Sequence, residues 1–141
     1  MGDLIRFQRV SQFFATRSER PTQALANVSL DIRAGEFVCL IGPSGCGKTT
    51  LMHLLAGFVP PTDGVVSFNG APVQGPGLER GVVFQEYALF PWMTARQNVE
   101  FGLRAQKVPA AERRHRALRA LDRVHLSHAA DRYPHELSGG M

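Results

Sequence analysis

The stretch Gly42-Pro43-Ser44-Gly45-Cys46-Gly47-Lys48-Thr49 constrains this chain more than any other. It meets G-x-x-x-x-G-K-[ST] at every position. It follows a continuous apolar run, Phe37-Val38-Cys39-Leu40-Ile41, and it opens a segment whose Leu51, Leu54 and Leu55 recur at helical spacing. Apolar run, glycine loop and helix together form a cradle for phosphate. Glycines let the backbone wrap closely and aim its N–H groups inward. The helix start adds the positive end of its dipole. In this pattern the Lys48 ammonium reaches the β- and γ-phosphates of a nucleoside triphosphate, and the Thr49 hydroxyl is a magnesium ligand. Cys46 fills a free position. The loop alone does not choose among kinases, GTPases, motor ATPases and transporter ATPases.

The patterning around the loop predicts a mixed α/β body followed by a helical segment. Residues 4–10 and 24–32 read as strands, the latter with Val28, Leu30 and Ile32 at period two, and residues 12–23 as a loop between them. Residues 37–41 suit a strand covered on both faces of a sheet. A helix over 48–57 stops at Gly57. Strands follow at 65–68 and 81–85, separated by Asn69-Gly70 and Gly75-Pro76-Gly77. Helices are expected over 94–106, with Thr94 as N-cap, and over 109–126, with Leu118, Leu121 and Val124 on its apolar face.

Composition excludes several classes. The 141 residues are 44% hydrophobic and 20% charged, ordinary for a globular domain, with a formal net charge of +4. Cys39 and Cys46 have no second cysteine pair, which argues against a zinc site or a disulfide framework. No apolar run approaches the roughly 20 residues of a spanning helix. Arg113, Arg114, Arg116, Arg119 and Arg123 invite a nucleic-acid reading, but at helical spacing opposite apolar positions they read as a solvated helix face.

Four features, in order along essentially the whole chain, resemble the nucleotide-binding domain of ABC transporters. They are the loop with its flanks Ile41 and Thr50, Val83-Phe84-Gln85-Glu86, Leu137-Ser138-Gly139-Gly140-Met141, and the upstream Val10-Ser11-Gln12-Phe13-Phe14. The resemblance implies a P-loop NTPase fold of the α/β class: an N-terminal antiparallel β-subdomain with a partial RecA-like core (about 1–89), a helical subdomain (about 90–136) and the signature motif at 137–141. It implies ATP and Mg2+ as ligands. ATP would be bound by Gly42, Pro43, Ser44, Gly45, Cys46, Gly47, Lys48, Thr49 and Thr50, with Phe14 stacked on adenine unless that ring is core packing. Gln85 would contact magnesium and the attacking water. Lys48 and Gln85 are thus the candidate catalytic residues, and Thr49 and Gln85 the metal-binding ones. Ser138, Gly139 and Gly140 would bind the γ-phosphate on a second copy, so two ATPase subunits would face each other head to tail.

The resemblance further implies a place at the cytoplasmic face of the membrane beside permease subunits, an indirect link to an external substrate-binding protein, and no nucleic-acid partner. The segment Leu89-Phe90-Pro91-Trp92-Met93-Thr94 looks most like importers of the nitrate, sulfonate and taurine group, and the neighbourhood docks a helix of the transmembrane subunit; Trp92 as a core residue is the alternative. The family's acidic magnesium ligand, catalytic glutamate and switch histidine stand after the signature. None is assignable within 141 residues, so the reading is of an incomplete domain whose isolated chain does not hydrolyse ATP.

Overall fold

The computed structural model describes residues 3–15, 21–84 and 88–141. The chain divides into two compact units, Met1–Val83 and Phe84–Met141.

The first unit is built on a four-stranded antiparallel sheet in the order β2-β1-β3-β4, with β1 Asp3–Phe14, β2 Thr22–Arg33, β3 Asp63–Phe68 and β4 Ala71–Pro72. The central strand β1 pairs Phe7 with Leu30 on one side and with Val66 on the other. Helix α1, Lys48–Ala56, lays Leu51 and Leu54 on this sheet. With Phe7, Val10, Leu25 and Val66 they form the buried core. A nine-residue helix is marginal alone, so this packing is what holds α1 in place. Gly57 ends it in the left-handed conformation, as its position predicts.

Three expectations for this unit need correction. The hairpin is longer than its apolar pattern suggests, since Gln12–Leu25, Phe13–Gln23 and Phe14–Thr22 pair where a loop was expected. Residues 37–41 form no strand: Phe37 is 93% and Ile41 95% exposed. Residues 81–84 form none either, with Val83 98% exposed. A strand needs a neighbour to receive its N–H and C=O groups, and among the described residues no strand lies beside either segment.

The second unit packs α2, Ala95–Ala105, against α3, Ala110–Arg123, around Ala95, Leu121 and Ala130. Thr94 caps α2 as expected, in a full capping box with Gln97. The N–H groups of Ala95 and Arg96 donate to Arg132 O and Ala130 O, both at 2.8 Å. The Arg96 side chain bridges Glu100 and Asp131, and the Glu100 hydrogen bond raises its pKa against the cost of burial. The buried face of α3 is Ala117 and Leu121; Leu118 and Val124 are exposed, contrary to the expected stripe.

Candidate nucleotide site

Gly45 and Gly47 carry the loop through φ of 80° and 97°, a region that favours glycine. Gly47 needs its missing side chain for a second reason. A Cβ there would sit 2.7 Å from Ala24 O and from Leu25 Cδ2, so the loop is pressed against β2. At Gly42 a Cβ would meet Cys46 Sγ at 2.8 Å. Ser44 and Thr49 are exposed and Thr50 half-buried on either side of the turn that starts α1.

The Lys48 side chain folds back over the loop. Its Nζ donates to Gly42 O and Pro43 O, both at 2.7 Å, and lies 3.5 Å from Cys46 Sγ. These acceptors are neutral. Phosphate oxygens are charged acceptors, roughly twice as strong, so the ammonium is held where a phosphate can draw it away. Helix α1 has no side-chain cap and no acidic residue in its first turn. Its first N–H groups and its dipole are therefore left for an anion, with no carboxylate of the first turn in competition.

The residues present fit a triphosphate. For magnesium the fit is partial: Thr49 supplies a hydroxyl on the first turn, while no group of three or more His, Cys, Asp or Glu among the described residues could hold a metal by itself. A magnesium ion bound chiefly by phosphate oxygens with one or two protein groups is ordinary chemistry. Gln85, with Glu86, lies outside the described residues.

Phe13 and Phe14 end β1, each 39% exposed. Gln12 pairs with Leu25, the residue against Gly47, so the strand end that carries both rings lies at the same edge of the sheet as the loop. Two residues that the sequence reading left without a role shape this edge. Gln12 is 6% exposed, and its Oε1 accepts from Thr62 N at 3.0 Å. Thr62 Oγ1 accepts from Phe13 N at 3.1 Å. The one sequence signal for them was the rigid Pro60-Pro61 turn that delivers Thr62 to β1.

In the second unit, Ser138, Gly139 and Gly140 are exposed, and Met141 N donates to Ser138 O at 2.9 Å in a turn. Leu89, Pro91, Pro134, His135 and Leu137 line a largely apolar groove of about 460 Å³ with Ser138. Trp92 is 70% exposed rather than core. Asn98 fixes its loop: Phe90 N donates to Oδ1 at 2.8 Å, while Nδ2 donates to Phe90 O, Met93 O and Thr94 O.

A glycine loop of this pattern at the start of a helix docked on a sheet defines the P-loop class of chains. The sequence profile described as ABC transporter matches residues 25–141. The taurine import ATP-binding protein TauB of Chromobacterium violaceum is 58% identical over 117 residues, which is 83% of this chain and 45% of that protein. The nitrate import ATP-binding protein NrtD of a Synechocystis species is 53% identical over 118 residues, 84% of this chain and 44% of that protein. Among solved structures, the dimeric ATP-binding cassette MJ0796 bound to ADP and Pi superposes with a TM-score of 0.85 at 33% identity, over 96% of this chain and 64% of that one. The chain belongs to the ABC transporter family, with the fold of its ATPase cassettes and likeness to the expected importer group. It spans less than half the length of these two relatives. No helix among the described residues is long and apolar enough to cross a membrane.

Proposed function

We propose that this chain is the nucleotide-gripping portion of an importer's ATP-binding subunit, taking ATP with Mg2+ at the loop from Gly42 to Thr50. The observation that carries the reading is the loop itself: two left-handed glycines, an uncapped helix start, and Lys48 parked on neutral carbonyls. Backbone N–H groups and Lys48 hold phosphate oxygens, Thr49 and Gln85 are the protein's magnesium ligands, and Phe14 stacks on the base. Bound magnesium neutralises phosphate charge and orients the terminal phosphoryl group. Ser138, Gly139 and Gly140 close over nucleotide held by a second copy, in a head-to-tail pair. The assembly works at the cytoplasmic face of the membrane on permease subunits, coupling hydrolysis to import of a substrate delivered by an external binding protein. The names of TauB and NrtD support an importer.

A second reading concerns the polypeptide of residues 1–141 taken alone. It binds nucleotide without hydrolysing it, because the acidic magnesium ligand and catalytic glutamate that the family places after the signature are not assignable among these 141 residues.

Titration of the purified chain with a fluorescent ATP analogue tests the site. Lys48→Ala removes the ammonium that this reading places on the phosphates and is expected to weaken binding by at least about tenfold, in line with loss of a charge-assisted contact. Equal affinity of the native and Lys48→Ala chains would refute the assignment.

A further inference from the structure

We propose that Gln12 and Thr62 are positioning residues for the base: together they clasp the end of β1 so that Phe14 is presented beside the phosphate loop. The inference rests on the nucleotide reading above and deepens it.

The clasp is built from four contacts. Thr62 N donates to Ser11 O at 3.1 Å and to Gln12 Oε1 at 3.0 Å. Phe13 N donates to Thr62 Oγ1 at 3.1 Å, and Gln12 Nε2 donates to Phe13 O at 3.4 Å. Both backbone polar groups of Phe13 are thereby held by side chains. The same residue stands where the pairing of β1 with β2 shifts register, between Gln12–Leu25 and Phe13–Gln23. At such a shift the strand bends and the following side chain is re-aimed. The clasp holds the backbone at that bend, one residue before Phe14, beside the Phe14–Thr22 pairing.

Burial argues the same way. Gln12 is one of the two buried polar residues among those described, and a buried amide is costly unless its oxygen and nitrogen are both used. Here both are used: the nitrogen donates to Phe13 O, one residue before Phe14, and the oxygen accepts from Thr62 N, which ties that backbone to the turn after Pro61. Thr62 follows Pro60-Pro61, whose fixed φ angles hold it in register with β1. The clasp is also tied to the loop: Gln12 pairs with Leu25, and Leu25 is the side chain pressed against Gly47. A shift of the clasp alters the placement of the aromatic relative to the phosphates, while none of its four hydrogen bonds involves Lys48 or the carbonyls of Gly42 and Pro43.

The prediction is a split between base and phosphate recognition. Affinities of the chain for magnesium ATP and for magnesium tripolyphosphate are measured by titration calorimetry, and their ratio reports what the nucleoside adds. Phe14→Ala is expected to reduce that ratio roughly tenfold, the scale of one base stacked on an aromatic ring. Thr62→Val, isosteric and exposed, and Gln12→Met each reduce it severalfold toward the Phe14→Ala value, with tripolyphosphate affinity unchanged. Thr62→Ser, which keeps the hydroxyl, keeps the ratio. A preserved ratio in Thr62→Val and Gln12→Met beside a lost one in Phe14→Ala overturns the clasp, as does equal weakening of both ligands. If the native chain binds neither ligand in a manner that depends on Lys48, the nucleotide reading fails and this inference falls with it.

Discussion

Replacing Gly47 by alanine separates the two demands that the loop makes on this position. The first is conformational: φ is 97°, and a left-handed residue with a Cβ costs about 1–2 kcal/mol. The second is steric. The new methyl would stand 2.7 Å from a backbone carbonyl, Ala24 O, and 2.7 Å from Leu25 Cδ2. The side chain can turn away, but the carbonyl is main chain of β2, at the register shift between Gln23 and Leu25, and moves only if the strand moves. Overpacking of this kind costs about 1–3 kcal/mol, so Gly47→Ala should total about 2–5 kcal/mol. Gly45 is the internal control. Its φ is 80°, but a Cβ there meets nothing within 4 Å, so Gly45→Ala carries the conformational cost alone. The clash at Gly47 falls on the residue that starts α1, so it should appear as local opening of that helix. Amide hydrogen exchange at Leu51 and Leu54, measured without nucleotide so that phosphate contacts do not enter, reads this opening. Gly47→Ala should lower protection there about 5- to 150-fold more than Gly45→Ala, the equivalent of about 1–3 kcal/mol. Equal loss in the two variants would show that Leu25 and β2 do not press on the loop.

Three further outcomes are expected. Asn98→Ala should destabilise the second unit by about 1–3 kcal/mol, because Phe90 N–H and three carbonyls lose their partner together; the urea midpoint followed by emission of Trp92, the single tryptophan, would move by less than the equivalent of about 0.5 kcal/mol if the loop did not depend on it. The exposed Phe37, Ile41 and Val83 should make the 141-residue chain associate as its concentration rises, and Ile41→Lys with Val83→Lys should reduce this in sedimentation velocity; a native chain that stays monomeric throughout would contradict it. The same polypeptide should show no magnesium-dependent ATP hydrolysis above background, since the family's acidic magnesium ligand and catalytic glutamate stand after the signature; turnover abolished by Lys48→Ala would overturn that expectation.

What could be read from sequence were the features set by local chemistry. The glycines of the loop, Gly57 as the stop of α1 and Thr94 as the cap of α2 each have a backbone reason that a few neighbours reveal. The misreadings concern pairing and rotation, which are not local. Residues 37–41 carry the apolar signature of a buried strand, but a strand exists only with a neighbour. In the hairpin, Gln12 looked like loop because its burial depends on Thr62, fifty positions away. In α3, Leu118, Leu121 and Val124 step three residues at a time and drift around the helix; the true contact face uses the four-residue step from Ala117 to Leu121, and alanine gave no hydrophobic signal strong enough to mark it.

The two helix starts, α1 and α2, show how function is written into local stability. Helix α2 begins with a complete capping box, in which Thr94 and Gln97 each satisfy the other's backbone N–H. Such a cap contributes about 0.5–2 kcal/mol. Helix α1 begins at Gly47 with no side-chain cap and no acidic residue in its first turn. A serine or aspartate there would stabilise the free helix, but its oxygen would occupy the N–H groups that a phosphate needs, and an aspartate would repel the phosphate as well. The stability α1 forgoes at its start is made good at its middle, where Leu51 and Leu54 bury against Phe7, Val10 and Val66. Burial of two leucines is worth roughly 3–6 kcal/mol, more than the missing cap. The sheet beneath α1 therefore does more than support the loop: it allows the helix to keep its N-terminus unsatisfied and open to an anion. Truncating Leu54, 1% exposed, should for that reason weaken phosphate binding from beneath the loop without touching a single ligand group.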